Sequence, residues 1–393
     1  MIGFCQGCEG DYNRNVMNSQ HPLVVFNAHL LSSDASYRSA GISVYIANLL
    51  AQFGRDARGL RFDVLTGPAT VSAADVGLPV RHARLPTQRP GVRILWEQTA
   101  LPILARRLQA DLLHCPAFVG PLLSPCPQVI TVHDLSFLRY PAFFKPGNRL
   151  YLSTLTGIAC RRAQAVIAVS DHAAREVVTL LGVPEERVTR VYHGVAPRFR
   201  PLPQEEVDDF RRREGLPARF VLYLGTLEPR KNLIRLVQAF ERQRDPDLHL
   251  VLAGAQGWYF HDLLQEVERL ELKDRVHFPG FVPTTDQVLW YNAAHVFAYV
   301  SMYEGLGMPV IEALACGTPV LTSSTTALPE AGGAGALTVH PEDEDEIAAG
   351  LQRLLADDEL RMELRAEGLT HAATFSWETT ARETAQVYRR VVT

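Results

Sequence analysis

The sequence predicts two doubly wound α/β domains that face each other across a cleft. Three observations carry this. Short apolar runs rich in Val and Ile alternate with helical stretches along the chain. Several of those runs are apolar throughout, which is how strands covered on both faces look. Near the middle, three prolines fall within seven residues (Pro197, Pro201 and Pro203), and such a cluster marks an interdomain linker. Two parallel α/β domains place ligands at the carboxyl ends of their strands.

Each element is justified in order. In the first half, strands are expected at 22–28, 61–66, 111–115, 128–132, 165–170 and 187–192, with helices at 42–53, 148–163 and 171–182. Ser170 suits the N-cap of the last of these and Gly182 its C-cap. After the linker, strands are expected at 220–225, 249–254, 275–280, 295–300, 318–323 and 335–339. Helices near 232–243, 260–270, 284–293, 309–316, 343–356 and 358–373 separate and follow them, and WETTARETAQVYRRVV closes the chain as one more helix. No repeat of fixed period is present.

Composition excludes several classes. The chain has 393 residues, 47% hydrophobic and 21% charged, which sets aside disordered, collagen-like and coiled-coil chains. No apolar run reaches about 18 residues, so no membrane-spanning helix is expected. MIGFCQGCEGDYNRN has neither a basic start nor an apolar core, so residues 1–16 are expected to be a loose tail and not a signal peptide. Net charge is −4, but residues 1–200 carry 21 Lys/Arg against 13 Asp/Glu, and residues 201–393 carry 18 against 30. The acidic half argues against nucleic acid as a partner, and the basic half could face an anionic surface. Six cysteines in such a chain do not make a disulfide scaffold and point to reduced thiols in the cytoplasm. Cys5, Cys8, His21 and His29 approach a zinc-finger spacing, but the last gap is too long and the two histidines flank a strand.

Chemistry concentrates at four places. The first is Glu304-Gly305-Leu306-Gly307-Met308-Pro309-Val310-Ile311-Glu312. Gly305 and Gly307 let backbone approach a ligand closely, and Pro309 suits the first position of a helix. The start of that helix suits a phosphate, and Glu312, expected in its first turn, would reach polyols beside it. The second is Gly225-Thr226-Leu227-Glu228-Pro229-Arg230-Lys231-Asn232. Arg230 and Lys231 are expected to open a helix, where cations oppose the dipole; a bound diphosphate would explain them. The third is His133, in Thr131-Val132-His133-Asp134-Leu135, at the carboxyl end of a buried strand, aimed into the cleft and able to hydrogen-bond a sugar hydroxyl or a developing charge. The fourth is Gly41, at the start of the first helix, where substrate could approach the backbone. Each has a plainer alternative: a turn, solvated charge, or a histidine satisfied by backbone.

Together EGLGMPVIEALACGTPV, GTLEPRKN, the HDL strand end and SAGISVYIANL resemble retaining glycosyltransferases of GT-B architecture and the GT4 kind, from about residue 22 onward. The resemblance implies an acceptor-binding domain over 17–200, completed by a crossing helix at 378–393, and a nucleotide-sugar-binding domain over 201–377. It implies that Arg230 and Lys231 bind the diphosphate and that Glu312 holds the ribose. His133 and Glu304 take the catalytic places beside the sugar, and Gly305, Leu306, Gly307 and Met308 offer backbone to sugar and phosphate. Phe281 and Val282 frame the base, and Gly41, Gly225, Thr226 and Gly254 complete the donor-binding set.

TVHDLSFLRYP looks most like bacterial mannosyltransferases that use GDP-mannose for surface polysaccharide. The implied activity is transfer of a hexose, mannose first, onto a glycan or lipid-linked acceptor. A UDP-sugar-dependent glucosyl- or N-acetylhexosaminyl-transferase is the alternative, and an epimerase of the same plan or a non-catalytic module is further off. Breaking the sugar–phosphate bond loads negative charge on the diphosphate, which the two cations and the helix start would stabilise, so no metal or other cofactor is expected. Asp343-Glu344-Asp345 fits a D-x-D metal pattern but reads better as the acidic first turn of a helix. Finally, Arg81, Arg84, Arg89, Arg93, Arg106 and Arg107 cluster with Ile94, Leu95, Trp96, Leu101 and Ile103 around the single acid Glu97. Either a peripheral contact with the inner face of a membrane or an ordinary surface helix explains them.

Overall fold

A computed structural model describes residues 21–31, 40–68, 72–87, 89–141, 146–257 and 260–393. The tail over 1–16, and with it Cys5 and Cys8, lies outside the described residues. In the first domain the strands are β1 (Leu23–Asn27), β2 (Arg61–Thr66), β3 (Val80–His82), β4 (Leu112–Cys115), β5 (Gln128–Val132), β6 (Ala165–Ala168) and β7 (Val188–Arg190). They form one parallel sheet in the order β3-β2-β1-β4-β5-β6-β7. Helices α1 (Ala40–Arg55), α2 (Ala73–Val76), α3 (Pro90–Arg107), α4 (Ser136–Arg139), α5 (Pro146–Arg162) and α6 (Asp171–Leu181) connect them. Ser170 caps α6 by accepting from Ala173 N, and Gly182 ends it at φ 65, as its sequence asks.

The second domain begins with α7 (Gln204–Glu214) and strand β8 (Arg219–Leu224). It continues through α8 (Leu233–Glu241), β9 (Leu248–Ala253), α9 (Phe260–Arg269), β10 (Val276–Gly280), α10 (Gln287–Ala293), β11 (Val296–Tyr299), α11 (Met308–Ala315), β12 (Val320–Ser323), α12 (Leu328–Gly332), β13 (Ala336–Val339), α13 (Glu344–Ala356) and α14 (Asp358–Ala372). Its six strands run parallel in the order β10-β9-β8-β11-β12-β13. α8 shows why such helices form: Leu233, Leu236, Val237 and Phe240 recur at helical spacing and are all buried against the sheet.

One further helix, α15 (Trp377–Val392), belongs to the first domain's core. Its Trp377, Ala381, Ala385 and Tyr388 pack with Tyr45, Phe53 and Phe62, and the Tyr388 hydroxyl bonds His114 Nδ1. The two crossings between domains are laced together: Val195 N donates to Phe375 O at 3.0 Å and Thr380 Oγ1 donates to Tyr192 O at 2.7 Å. No helix among the described residues is long and apolar enough to cross a membrane.

Candidate active site

The order of the second sheet reverses between β8 and β11, so the loops that follow these two strands leave side by side. One carries Gly225 to Lys231 and the other Ser301 to Gly307. This is how two segments 70 positions apart in the chain come to share a wall. With loops of the first domain they enclose a cavity of about 630 Å³. The first domain contributes Gly41, Ile42, Phe118, His133, Asp134 and His193. The second contributes Gly225, Thr226, Glu228, Arg230, Lys231, Tyr299 and the run Glu304 to Pro309.

Two local readings of the sequence need correction. Arg230 and Lys231 do not open α8; they sit in a single tight turn, Pro229–Lys231, before it. Asn232 separates the two elements at φ 61, held there because its side-chain amide donates to Val300 O at 3.1 Å and Pro341 O at 2.6 Å. The cations therefore project from a turn, clear of the dipole end that would repel them. Glu312 lies in the second turn of α11, because the helix starts at Met308 after Gly307 and not at Pro309.

A buried ion cluster forms the floor. Lys231 Nζ donates to Glu304 Oε1 at 2.6 Å and to the Tyr299 hydroxyl at 2.7 Å, and that hydroxyl lies 3.1 Å from Glu304 Oε1. Arg230 Nη1 donates to Glu304 Oε2 at 3.2 Å and to the Tyr303 carbonyl at 2.8 Å, while its Nη2 donates to Glu228 at 2.8 Å. Lys231 and Glu304 are only 7% and 8% exposed. Burial pushes the Glu304 carboxyl up, but Arg230 and Lys231 outweigh it and hold it at about 2. Burial and then Arg230 lower the Lys231 ammonium, against the pull of Glu304 and Glu228. Paired charges of this kind persist out of water because each has a partner.

His133 faces this cluster from the other domain. Its Nε2 lies 2.7 Å from the Pro116 carbonyl. A carbonyl only accepts, so Nε2 carries the proton and the neutral ring keeps Nδ1 as a bare acceptor. Burial lowers its pKa, against the Pro116 bond and Asp134, which favours that neutral form. His193 stands beside it, ring centroids 5.3 Å apart.

Four of the expected positions lie outside the cavity wall. Gly254 ends β9, where a β-carbon would stand 1.8 Å from the Gly225 carbonyl oxygen; its bareness shapes the turn that presents Gly225 and Thr226. Phe281 is 49% exposed just past edge strand β10, and Val282 is buried beside it. The Glu312 carboxylate accepts from the Tyr291 hydroxyl at 3.0 Å, and burial raises its pKa to about 7 against that bond and Arg198. At Gly305, the space freed by the missing side chain is taken by protein: a β-carbon would meet the His133 carbonyl oxygen at 1.8 Å.

Sequence reasoning passed over several residues. Tyr299 reads as one more apolar strand position, and Glu228 stands in the cation motif without a separate signal. The bonds that close the two domains are invisible along the chain. Ser170 Oγ donates to Gly305 O at 2.6 Å, the Tyr303 hydroxyl donates to Glu176, and the Glu330 carboxylate accepts from Asp171 N and His172 N, each at 2.7 Å. Among the described residues no cluster of three or more His, Cys, Asp or Glu could hold a metal ion. Asp343 instead caps α13 by accepting from Glu346 N at 3.0 Å.

Residues 39–199 match a family model described as Glycosyltransferase Family 4, and residues 205–370 match one described as Glycosyl transferases group 1. The O-antigen chain mannosyltransferase B of Escherichia coli is 34% identical over 268 residues, 66% of this chain and 70% of that protein. The serotype-specific mannosyltransferase WbdA of Escherichia coli is 31% identical over 68% of this chain, which spans only 34% of that longer protein. Among solved structures, the sucrose-phosphate synthase of Thermosynechococcus elongatus has a TM-score of 0.74 at 21% identity, covering 94% of this chain and 99% of that one. Anabaena HepE, solved with UDP and glucose, has a TM-score of 0.72 at 20% identity, covering 94% and 100%. These two likenesses give the fold, the GT-B pair of facing Rossmann-like domains. With both halves matched and a relative this similar over most of its own length, the chain belongs to the family 4 glycosyltransferases.

Proposed function

We propose that the chain moves mannose from GDP-mannose onto a glycan or lipid-linked acceptor in surface polysaccharide synthesis, with retention of anomeric configuration and without a metal ion. The observation that carries this is the meeting of Arg230, Lys231 and the Glu304–Pro309 loop with His133 across one cavity. The names of the relatives, O-antigen mannosyltransferases, support mannose as the sugar.

The chemistry follows from charge. As the bond from sugar to phosphate breaks, positive charge grows on the sugar ring and negative charge on the leaving diphosphate. Arg230 and Lys231, fixed in place by Glu304 and Glu228, stabilise the diphosphate with little reorganisation. Neutral His133 offers Nδ1 to a sugar hydroxyl on the other side. Glu304, ionised and tied to both cations, keeps their heads in place. On this reading Glu312 would take the ribose, and Phe281 and Val282 the base. The leaving phosphate oxygen takes the proton of the acceptor hydroxyl as that hydroxyl attacks the same face.

The acceptor side includes a surface suited to lipid. In α3, Trp96, Glu97 and Leu101 turn inward, but Leu95 and Ile103 are exposed, with Leu85 on the loop before. Arg84, Arg89, Arg106 and Arg107 are exposed around them, whereas Arg81 is engaged by Asp63 at 2.8 Å and Arg93 lies 3.8 Å from Glu97. This patch would bring the cleft to an anionic membrane face.

Purified chain offered GDP-mannose, UDP-glucose and UDP-N-acetylglucosamine with a lipid-linked glycan extract tests the reading. GDP release coupled to a mannosylated product, unaffected by EDTA, is expected. Turnover of a UDP-sugar alone would replace the donor, and turnover of none would end the proposal. Sedimentation with phosphatidylglycerol vesicles at low salt checks the patch; no binding there, or equal binding by an Arg106→Glu/Arg107→Glu chain, removes it.

A further inference from the structure

On the second domain's wall, where a diphosphate would lie, four charged side chains cancel, Arg230 and Lys231 against Glu228 and Glu304, and Asp134 of the first domain lines the same cavity. Glu304 engages both cations. Glu228 engages one, its Oε1 accepting from Arg230 Nη2 at 2.8 Å and Nε at 3.2 Å. Its side chain is nine-tenths buried. The backbone on either side is fixed. Leu227 N donates to Ala255 O at 2.9 Å, Gly257 N donates to Leu227 O at 3.0 Å, and Lys231 N donates back to Glu228 O at 3.0 Å. Glu228 is thus built into the turn, with its carboxylate already against the arginine that a diphosphate would engage.

A site made only to grip a diphosphate has no use for a second acid on its arginine. Glu304 already orients both cations, so orientation does not account for Glu228. We propose that Glu228 is a counterweight: a buried carboxylate that competes with the nucleotide diphosphate for Arg230 and so lets the product leave after transfer. The inference rests on the nucleotide-sugar reading above and adds the residue that sets product residence. Glu228 acts through Arg230, as a positioning residue. When the diphosphate departs, the guanidinium is returned to two carboxylates already in place, Glu228 and Glu304.

Isothermal titration of wild-type chain with GDP and with UDP, compared with Glu228→Gln, tests this. Removing one negative charge at this distance is expected to tighten binding of the product nucleotide roughly tenfold. With release slowed, kcat falls while KM for the sugar nucleotide also falls, and a first-turnover burst appears. Glu228→Asp, which keeps the charge, is expected to return affinity to the wild-type range. Should the Gln chain not fold, Glu228→Ser, where water fills the vacated volume, carries the same expectation. A neutral variant that binds the nucleotide no tighter than wild type overturns the counterweight alone. A wild-type chain that binds neither GDP nor UDP overturns the nucleotide-sugar reading and the counterweight with it.

Discussion

Glu304 and Glu312 flank seven residues of one segment and hold their protons in opposite ways. Burial raises both carboxyls, but Glu304 is bonded to two cations, Arg230 and Lys231, and is held at about 2, while Arg198 and the Tyr291 bond do not offset burial at Glu312, which rises to about 7. Their stability signatures therefore differ in sign. Glu304 ionises more readily folded than unfolded, so its contribution is present above pH 4.5 and is lost as pH falls towards 2. Glu312 keeps a proton when folded that the unfolded chain releases, so its contribution is present below pH 4.5 and is lost as pH rises to 7. Glu312→Gln is expected to melt a few degrees above wild type at pH 8 and level with it at pH 4.5; a constant difference across that range would contradict the assignment. Arg230→Ala is expected to lower donor turnover by a factor of 100 or more, read as nucleotide release. At this scale the sequence was informative where residues adjoin, as in Arg230-Lys231, and silent where partners come from other strands. Nothing along the chain announces that Tyr299 or the Pro116 carbonyl completes the site.

The elements themselves were legible because both faces of nearly every strand are covered, which leaves apolar runs that stop at the strand ends. β3 escaped notice for the converse reason: it is a three-residue edge strand, VRH, with no face fully buried. The exact start of a helix was harder. α8 and α11 begin where Asn232 and Gly307 turn the chain left-handed, and Pro309, expected at the first position of α11, stands at its second. The loop between β11 and α11 carries the sharpest test of element geometry. Gly305→Ala puts a methyl group into the His133 carbonyl of the facing domain. Transfer is expected to fall at least 100-fold while nucleotide affinity, set within the second domain, changes less than threefold. Equal losses in both would show that the loop serves the nucleotide and not the junction.

Across the whole molecule, the two domains are joined by bonds that no single domain contains. Glu330 caps the start of α6 from the opposite side, with the Tyr192 hydroxyl at 3.1 Å, and a carboxylate at a helix N-terminus is favoured by the dipole. Glu330→Ala is expected to widen the resting cleft, seen as a larger radius of gyration in solution scattering, and to lower turnover about tenfold; unchanged scattering would assign the bond a local role. The two-domain plan and its cleft were readable from alternation and the proline break, but these closing bonds pair residues well over 100 positions apart. The same reach governs how the chain is born. α15 follows the entire second domain in the chain, yet it completes the core around Phe53 and Phe62. On the ribosome, the half made first must wait with that greasy seam uncovered while the half made second closes on itself. Chaperone demand during synthesis should therefore fall on the amino-terminal half, and a transcript cut short before residue 377 should yield aggregate from that half alone.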